Sequence, residues 1–242
     1  MSAAVLHVTP SVPPRLRGPL DHLAGLLSGI YADGFQGLTI FGAALDDRSG
    51  GDDEGIETVA VLSRVELPLV RRLAEHGAEL GRRGFSAPLL MTPEYITASL
   101  DTFPLELLEI HQRHCTATGK DFFNDLAFAD THVRLQCERE FKRVLLRIRQ
   151  GLLSSGGRTE VLEALEVDVG RHLLRAMRGF LWLNGKRDYH TAESVISQCG
   201  QLIGRSLSGL ANAVRTGGEH GWNELIALNG DAEALAAAAN CE

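Results

Sequence analysis

Cysteines are few, aromatic residues are scarce and long hydrophobic runs are missing, and each shortage removes a class of protein. Four cysteines in 242 residues, Cys115, Cys137, Cys199 and Cys241, stand 22, 62 and 42 positions apart with no CxxC pair. That spacing excludes the dense disulfide framework of a small secreted domain and reads as reduced thiols. No window offers the roughly 18 consecutive apolar residues of a membrane span, and the opening MSAAVLHVTPSVPPRLRG lacks a basic start followed by an apolar stretch. A cytoplasmic protein without membrane attachment is therefore expected. Positive charge is also short: 24 Lys plus Arg against 31 Asp plus Glu leave a net charge of -7, which disfavours nonspecific binding to nucleic acid or anionic lipid. No GxSxG, HExxH, GxxxxGK[ST] or GxGxxG motif occurs, so the usual markers of a hydrolase elbow, a zincin, a P-loop and a dinucleotide site are missing.

With 44% hydrophobic and 23% charged residues the chain has the composition of an ordinary globular protein, enough for one large domain or two small ones. The first 18 residues hold Pro10, Pro13 and Pro14. Pro19 then suits the start of a helix through LDHLAGLLSGIYADG, with Leu20, Leu23, Leu27 and Ile30 as its buried stripe and Gly34 and Gly37 as its stop. The run Leu38 to Leu45 reads as a buried strand, RSGGDDEG as a loop, and IETVAVLS as a second strand in which Ile56, Thr58, Ala60 and Leu62 oppose Glu57, Val59 and Val61. A helix from Pro68 to Gly84, a short strand in SAPLLMT and a helix capped by Thr92 with Pro93 at its first position follow.

From Phe103 onward strand signals almost vanish, apart from FFNDLAF, and helical periodicity takes over. The clearest helix is about 130–153, with Cys137, Phe141, Leu145, Ile148 and Leu152 on one face. TEVLEALEVDVGRHLLRAMRGFLWL, AESVISQCGQLIG, SLSGLANAV and WNELIAL continuing into DAEALAAAAN supply four more. The expected class is α+β, a small mixed sheet with helices followed by a C-terminal helical bundle. The expected divisions are an extension at 1–18, a first domain at 19–100 and a helical domain at 101–242.

The order helix, strand, Gly-x turn (Phe41-Gly42-Ala43), strand, helix, strand resembles the minimal nucleotidyltransferase fold of the DNA polymerase β-like superfamily, which aminoglycoside nucleotidyltransferases also use. FPLELLEI and RLQCEREF look like the segment that follows the catalytic domain in bacterial proteins of this type, so the resemblance covers about 20–229. It implies transfer of a nucleotidyl group from a triphosphate such as ATP. Two Mg²⁺ ions, roughly 3.5 to 4 Å apart, would be held by carboxylates at i and i+2 of one strand and a third from a later strand. A Gly-Ser turn would cradle the phosphates. On this sequence Gly42 and Ala43 fall on the phosphate turn, where Ala43 lacks the hydroxyl, and Glu57 falls on a metal position. Gly55 stands where the paired carboxylate would be, and SAPLLMT brings no acidic residue. Metal-dependent catalysis is thus expected to be lost, no catalytic residue is assigned, and no cofactor is expected unless ATP and Mg²⁺ are used by a surviving enzyme.

Two other constellations carry chemistry-bearing residues. His111, His114 and Cys115 form an H-x-x-H-C group that, with His132 or Cys137, has metal-ligand types, the plainer alternative being surface histidines and a buried thiol. Arg134, Arg139, Lys142, Arg143, Arg147 and Arg149 give one helix a basic face, either a phosphate-binding surface or, as favoured by the i,i+4 spacing of Arg134, Glu138 and Lys142 and by the lack of interleaved aromatics, a solvated paired one. Trp182 and Trp222 are expected in the core or at a subunit contact. The resulting expectation is a nucleotidyltransferase-fold protein that no longer transfers and serves a regulatory role by binding a nucleotide, a protein partner or a second copy of itself as a homodimer; an active Mg-dependent enzyme and a helical interaction module are the alternatives.

Overall fold

The structure, a computed structural model, describes residues 8–9, 11–45, 55–187, 189, 191–215 and 220–240. The acidic loop with Asp46, Asp47, Asp52, Asp53 and Glu54 lies outside the described residues, as does Cys241. The fold is α+β, with a four-stranded mixed sheet and a helical C-terminal region. The chain divides into two compact units, residues 1–100 with 107–127, and residues 101–106 with 128–242.

In the first unit, α1 spans Pro14–Tyr31 and so begins before Pro19, the expected start. Pro14 supplies the favourable proline at the first turn, and Pro19 inside the helix forfeits one backbone bond. Extension over that residue buries Leu16 to 3% exposure and continues the stripe of Leu20, Leu23 and Leu27. The helix gives way to a 3₁₀ turn at Ala32–Gly34, and β1 covers Phe35–Phe41. Gly37 therefore lies in the strand rather than stopping the helix: a Cβ there would come 2.7 Å from the Lys120 carbonyl, so only glycine fits. The strand also ends four residues before the expected Leu45, because Gly42 takes φ +74° and the chain turns through Gly42–Leu45 in a 3₁₀ turn.

β2 is Glu57–Leu62, antiparallel to β1, with Leu38 opposite Ala60 and Phe41 opposite Glu57. The expected single helix after Pro68 is two, α2 at Leu67–Ala74 and α3 at Gly77–Arg82, separated by a turn at Glu75 and His76. β3 at Leu89–Met91 runs parallel to β2, and α4 at Pro93–Ala98 opens with Thr92 accepting the Tyr95 amide at 3.1 Å, as its cap residue should. After α5, Pro104–Gln112, comes a strand that the sequence reading missed: β4, His114–Gly119, antiparallel to β1 at the sheet edge. FFNDLAF, the ambiguous run, is loop and turn. The sheet order is β3-β2-β1-β4. Leu38, Ile40, Ala60 and Leu62 on one face join the α1 stripe in a core, while Thr39, Val59 and Val61 on the other face are also fully buried. Thr9 lies along β4, its amide donating to the Ala117 carbonyl at 2.7 Å and its hydroxyl to the Thr116 carbonyl at 2.9 Å.

The second unit contains α6 at Asp130–Ser155 and α7 at Thr159–Leu183, joined by Gly156 and Gly157, both with positive φ. The buried stripe of α6 includes Val133, Cys137, Phe141, Val144 and Ile148. α8 at Ala192–Ile203 starts in a capping box between Thr191 and Ser194 and ends at Gly204, which is left-handed. α9 is Ser208–Ala213 and α10 is one continuous helix, Trp222–Asn240. Trp182 packs edge-on to Phe128 at 6.3 Å, whereas Trp222 is 57% exposed and so is not a core residue.

Candidate functional site

β-strand pairing decides where the candidate site residues lie. Phe41 pairs with Glu57, so Gly42, one residue beyond, and Glu57, the first residue of β2, come together at one end of the sheet. A Cβ placed on Gly42 would lie 2.5 Å from Glu57 Oε2, which means the exposed glutamate leans over the bare glycine. The Gly42 amide donates to the Arg113 carbonyl at 3.3 Å, and the Arg15 guanidinium of α1 holds the Ala44 carbonyl at 2.7 Å. Ala43 is the second residue of this turn. The turn is thus bound into the protein from two sides, with a carboxylate laid across it.

Gly55 is enclosed by backbone. A Cβ there would lie 2.9 Å from the Ser86 amide nitrogen and 3.2 Å from the Gly84 carbonyl, because the chain at 84–86 pairs beside Ile56: the Ile56 amide donates to Gly84 at 2.6 Å and Ser86 donates back at 3.2 Å. A carboxylate at that position would have to push this backbone aside. Among the described residues no group of three or more His, Cys, Asp or Glu side chains is arranged to hold a metal ion. One glutamate supplies too few oxygens for the near-octahedral shell that Mg²⁺ demands.

His111 and His114 do not share a helix face, because His111 lies in the last turn of α5 and His114 begins β4. Their ring nitrogens have other partners: His111 Nδ1 lies 2.8 Å from the Phe123 carbonyl, and His114 Nε2 lies 3.1 Å from Asp121. Asp121 in turn accepts the amides of Phe123 and Asn124. Burial works to raise its pKa, but the Phe123 amide, the His114 ring and the Asn124 amide together hold it below the usual carboxylate value. This pins the loop after β4 and leaves no ligand set with Cys115.

The cations of α6 are largely matched. Lys142 pairs with Glu138, Arg143 with Glu140 at 2.9 Å, Arg147 with Asp168 at 2.7 Å and Arg149 with Glu233 at 3.5 Å. That is the solvated, paired arrangement. Cys137 and Cys199 are fully buried, and burial above all pushes each thiol up to about 12, so neither is a nucleophile in the folded protein.

No known family model matches the chain, and none of the curated proteins matches it. Among the described residues, no helix is long and apolar enough to cross a membrane.

Sequence reasoning missed two buried carboxyl groups of the second unit. Glu166 of α7, 1% exposed, accepts the Gly221 amide at 3.1 Å and faces His220 Nδ1 at 2.9 Å. Asp231, 2% exposed in the middle of α10, accepts the Leu210 amide at 3.0 Å and lies 3.7 Å from Arg205. Each stands in a window of the sequence that is otherwise apolar on one face, EALEVDVG and LNGDAEAL, and that interruption was the available signal. Each carboxyl holds an amide at the start of a neighbouring helix.

Proposed function

We propose that this is a nucleotidyltransferase-type protein that has lost transfer and works as a nucleotide- or partner-binding, regulatory protein. The element order supports the resemblance: helix, strand, glycine turn, antiparallel strand, helices, parallel strand. The observation that carries the loss of transfer is the closed position at Gly55. Two-ion chemistry requires two carboxylates projecting from one strand, and the residue two before Glu57 is a glycine walled in by the Gly84–Ser86 backbone. Glu57 leaning on Gly42 adds to this, since its side chain then lies over the turn that a triphosphate would need.

The test is a thermal-shift titration with each of the four ribonucleoside triphosphates, with and without Mg²⁺. A nucleotide at 100 times its Kd stabilises by about 2.7 kcal/mol, or roughly 5–10 °C in a chain of this size. The expected outcome is that Mg²⁺ changes nothing, whether or not a bare nucleotide shifts the melt. A magnesium-dependent shift that disappears in Glu57→Ala would overturn the reading and restore the active ATP- and Mg²⁺-dependent enzyme.

A further inference from the structure

The ring of His114, only 10% exposed, is held from two sides by oxygens that accept and do not donate. Its Nδ1 lies 3.2 Å from the His111 carbonyl, in the last turn of α5, and its Nε2 lies 3.2 and 3.1 Å from the two oxygens of Asp121. A neutral imidazole carries one N–H, so either tautomer would set a lone pair against one of these oxygens, whereas the imidazolium donates to both. A positive charge also suits the end of a helix, where unpaired carbonyls gather.

The charged and titratable groups around the ring come from four elements. The loop after β4 brings Asp121 and Lys120, whose ammonium lies 5.0 Å from the centre of the Phe122 ring. Arg113 precedes His114 in the chain, α5 brings Glu109 and His111, and Glu57 of β2 is separated from His114 by Phe41, with which both pair. Among the described residues Asp121 is the charged group that meets the ring. Burial works against its carboxylate, yet its amide and ring partners keep its pKa below the usual value, so it is still charged at pH 5. The His111 ring bonds the Phe123 carbonyl from Nδ1 at 2.8 Å, a contact that neutral and charged rings both make.

Of the parts that His114 joins, β4 is fixed by its ladder to β1 and α5 by Leu107, Leu108 and Ile110, each 1% exposed. The loop is the part free to give. Asp121 holds it through the amides of Phe123 and Asn124, and the Phe123 ring stands edge-on to His114 at 6.0 Å. The Arg113 carbonyl, one residue away, takes the Gly42 amide, so this junction borders the glycine turn.

We propose that His114 is a proton-operated latch: its imidazolium fastens the loop at 120–124 to the end of α5, and loss of the proton loosens that loop. Amide hydrogen exchange of the full chain, followed by NMR and divided by intrinsic rates, tests this at pH 5 and pH 8, between which histidine side chains change charge. Phe123 and Asn124 are expected to be about tenfold better protected at pH 5 than at pH 8, and the side-chain ¹⁵N spectrum should show both ring nitrogens of His114 protonated at pH 5. His114→Gln should bring protection at pH 5 down to the pH 8 level and remove the pH dependence. Asp121→Asn, an isosteric change at an exposed position, should remove the pH dependence too and serves if His114→Gln does not fold, while His111→Gln should keep it. The proposal is overturned if the wild-type loop is equally protected at both pH values, if the His114 ring is neutral at pH 5, or if the pH dependence survives in folded His114→Gln or Asp121→Asn.

Discussion

In the sheet unit the hydroxyls of Thr39, Thr58 and Thr118 are buried and meet no hydrogen-bond partner among the described residues, whereas in the helical unit the equally buried Glu166 and Asp231 each hold a backbone amide at a helix start. A threonine in a strand offers a β-branched shape that packs well on the pleated surface, and its hydroxyl is incidental to that fit. A buried carboxyl is retained on other terms: two donors that no intrahelical carbonyl can reach are satisfied from a neighbouring helix. The lesson is that burial of a polar atom is informative only together with what it holds.

Removing the carboxyls breaks the second arrangement and carries the largest expected effect. Glu166→Ala and Asp231→Ala should each cost about 2–3 kcal/mol, from a stranded helix-start amide and an emptied site. Urea unfolding followed by circular dichroism measures it, and a loss under 0.5 kcal/mol for both would show that the carboxyls are as incidental as the threonines.

The thiols of the helical unit sharpen the comparison through pH. Their pKa in the folded protein is raised from 9.0 to about 12, so folding retains their protons; their contribution is fully present below pH 9 and is lost as pH rises from there towards 12. Each thiol should remove about 1.4 kcal/mol of stability per pH unit in that interval. A Cys137→Ala, Cys199→Ala protein should show a flatter stability curve above pH 9 in denaturant titrations. In a Cys241→Ser background at pH 8, a thiol reagent should reach Cys137 and Cys199 only on unfolding.

Thr39→Val belongs next in size. It keeps the shape and deletes an unpartnered hydroxyl, so stability should rise by roughly 0.5–1 kcal/mol, or about 1–4 °C in melting temperature. A loss of comparable size would mean the hydroxyl is engaged after all. Smallest is Arg147→Ala on the basic face: its bridge to Asp168 joins side chains that are 52% and 36% exposed, and its removal should change stability by less than about 0.5 kcal/mol.

The same contrast explains what was readable in the sequence. In α7 and α8 the spacing of apolar residues and the cap residues Thr191 and Gly204 mark the ends, because helical packing repeats locally. β4 carries no such pattern: HCTATG has one fully buried apolar residue, Ala117, and is held by backbone pairing to β1, a partner more than seventy positions away. The start of α1 was hidden because a proline at position 19 is tolerated once Leu16 has a core to enter. At the candidate site, the missing hydroxyl of Ala43 and the missing carboxylate at Gly55 were legible as letters. That Gly55 is walled in depends on how residues 84–86 return beside it, and no local pattern encodes that.

The pairing of Thr9 with β4 bears on how the protein behaves in a crowd. β4 is an outer strand, and an outer strand with open carbonyls is a template on which another chain can add itself. By occupying the carbonyls of Thr116 and Ala117, Thr9 covers part of that template. Thr9→Pro, which removes the amide donor, should therefore raise the turbidity of a warmed, concentrated solution before it changes any assay of binding.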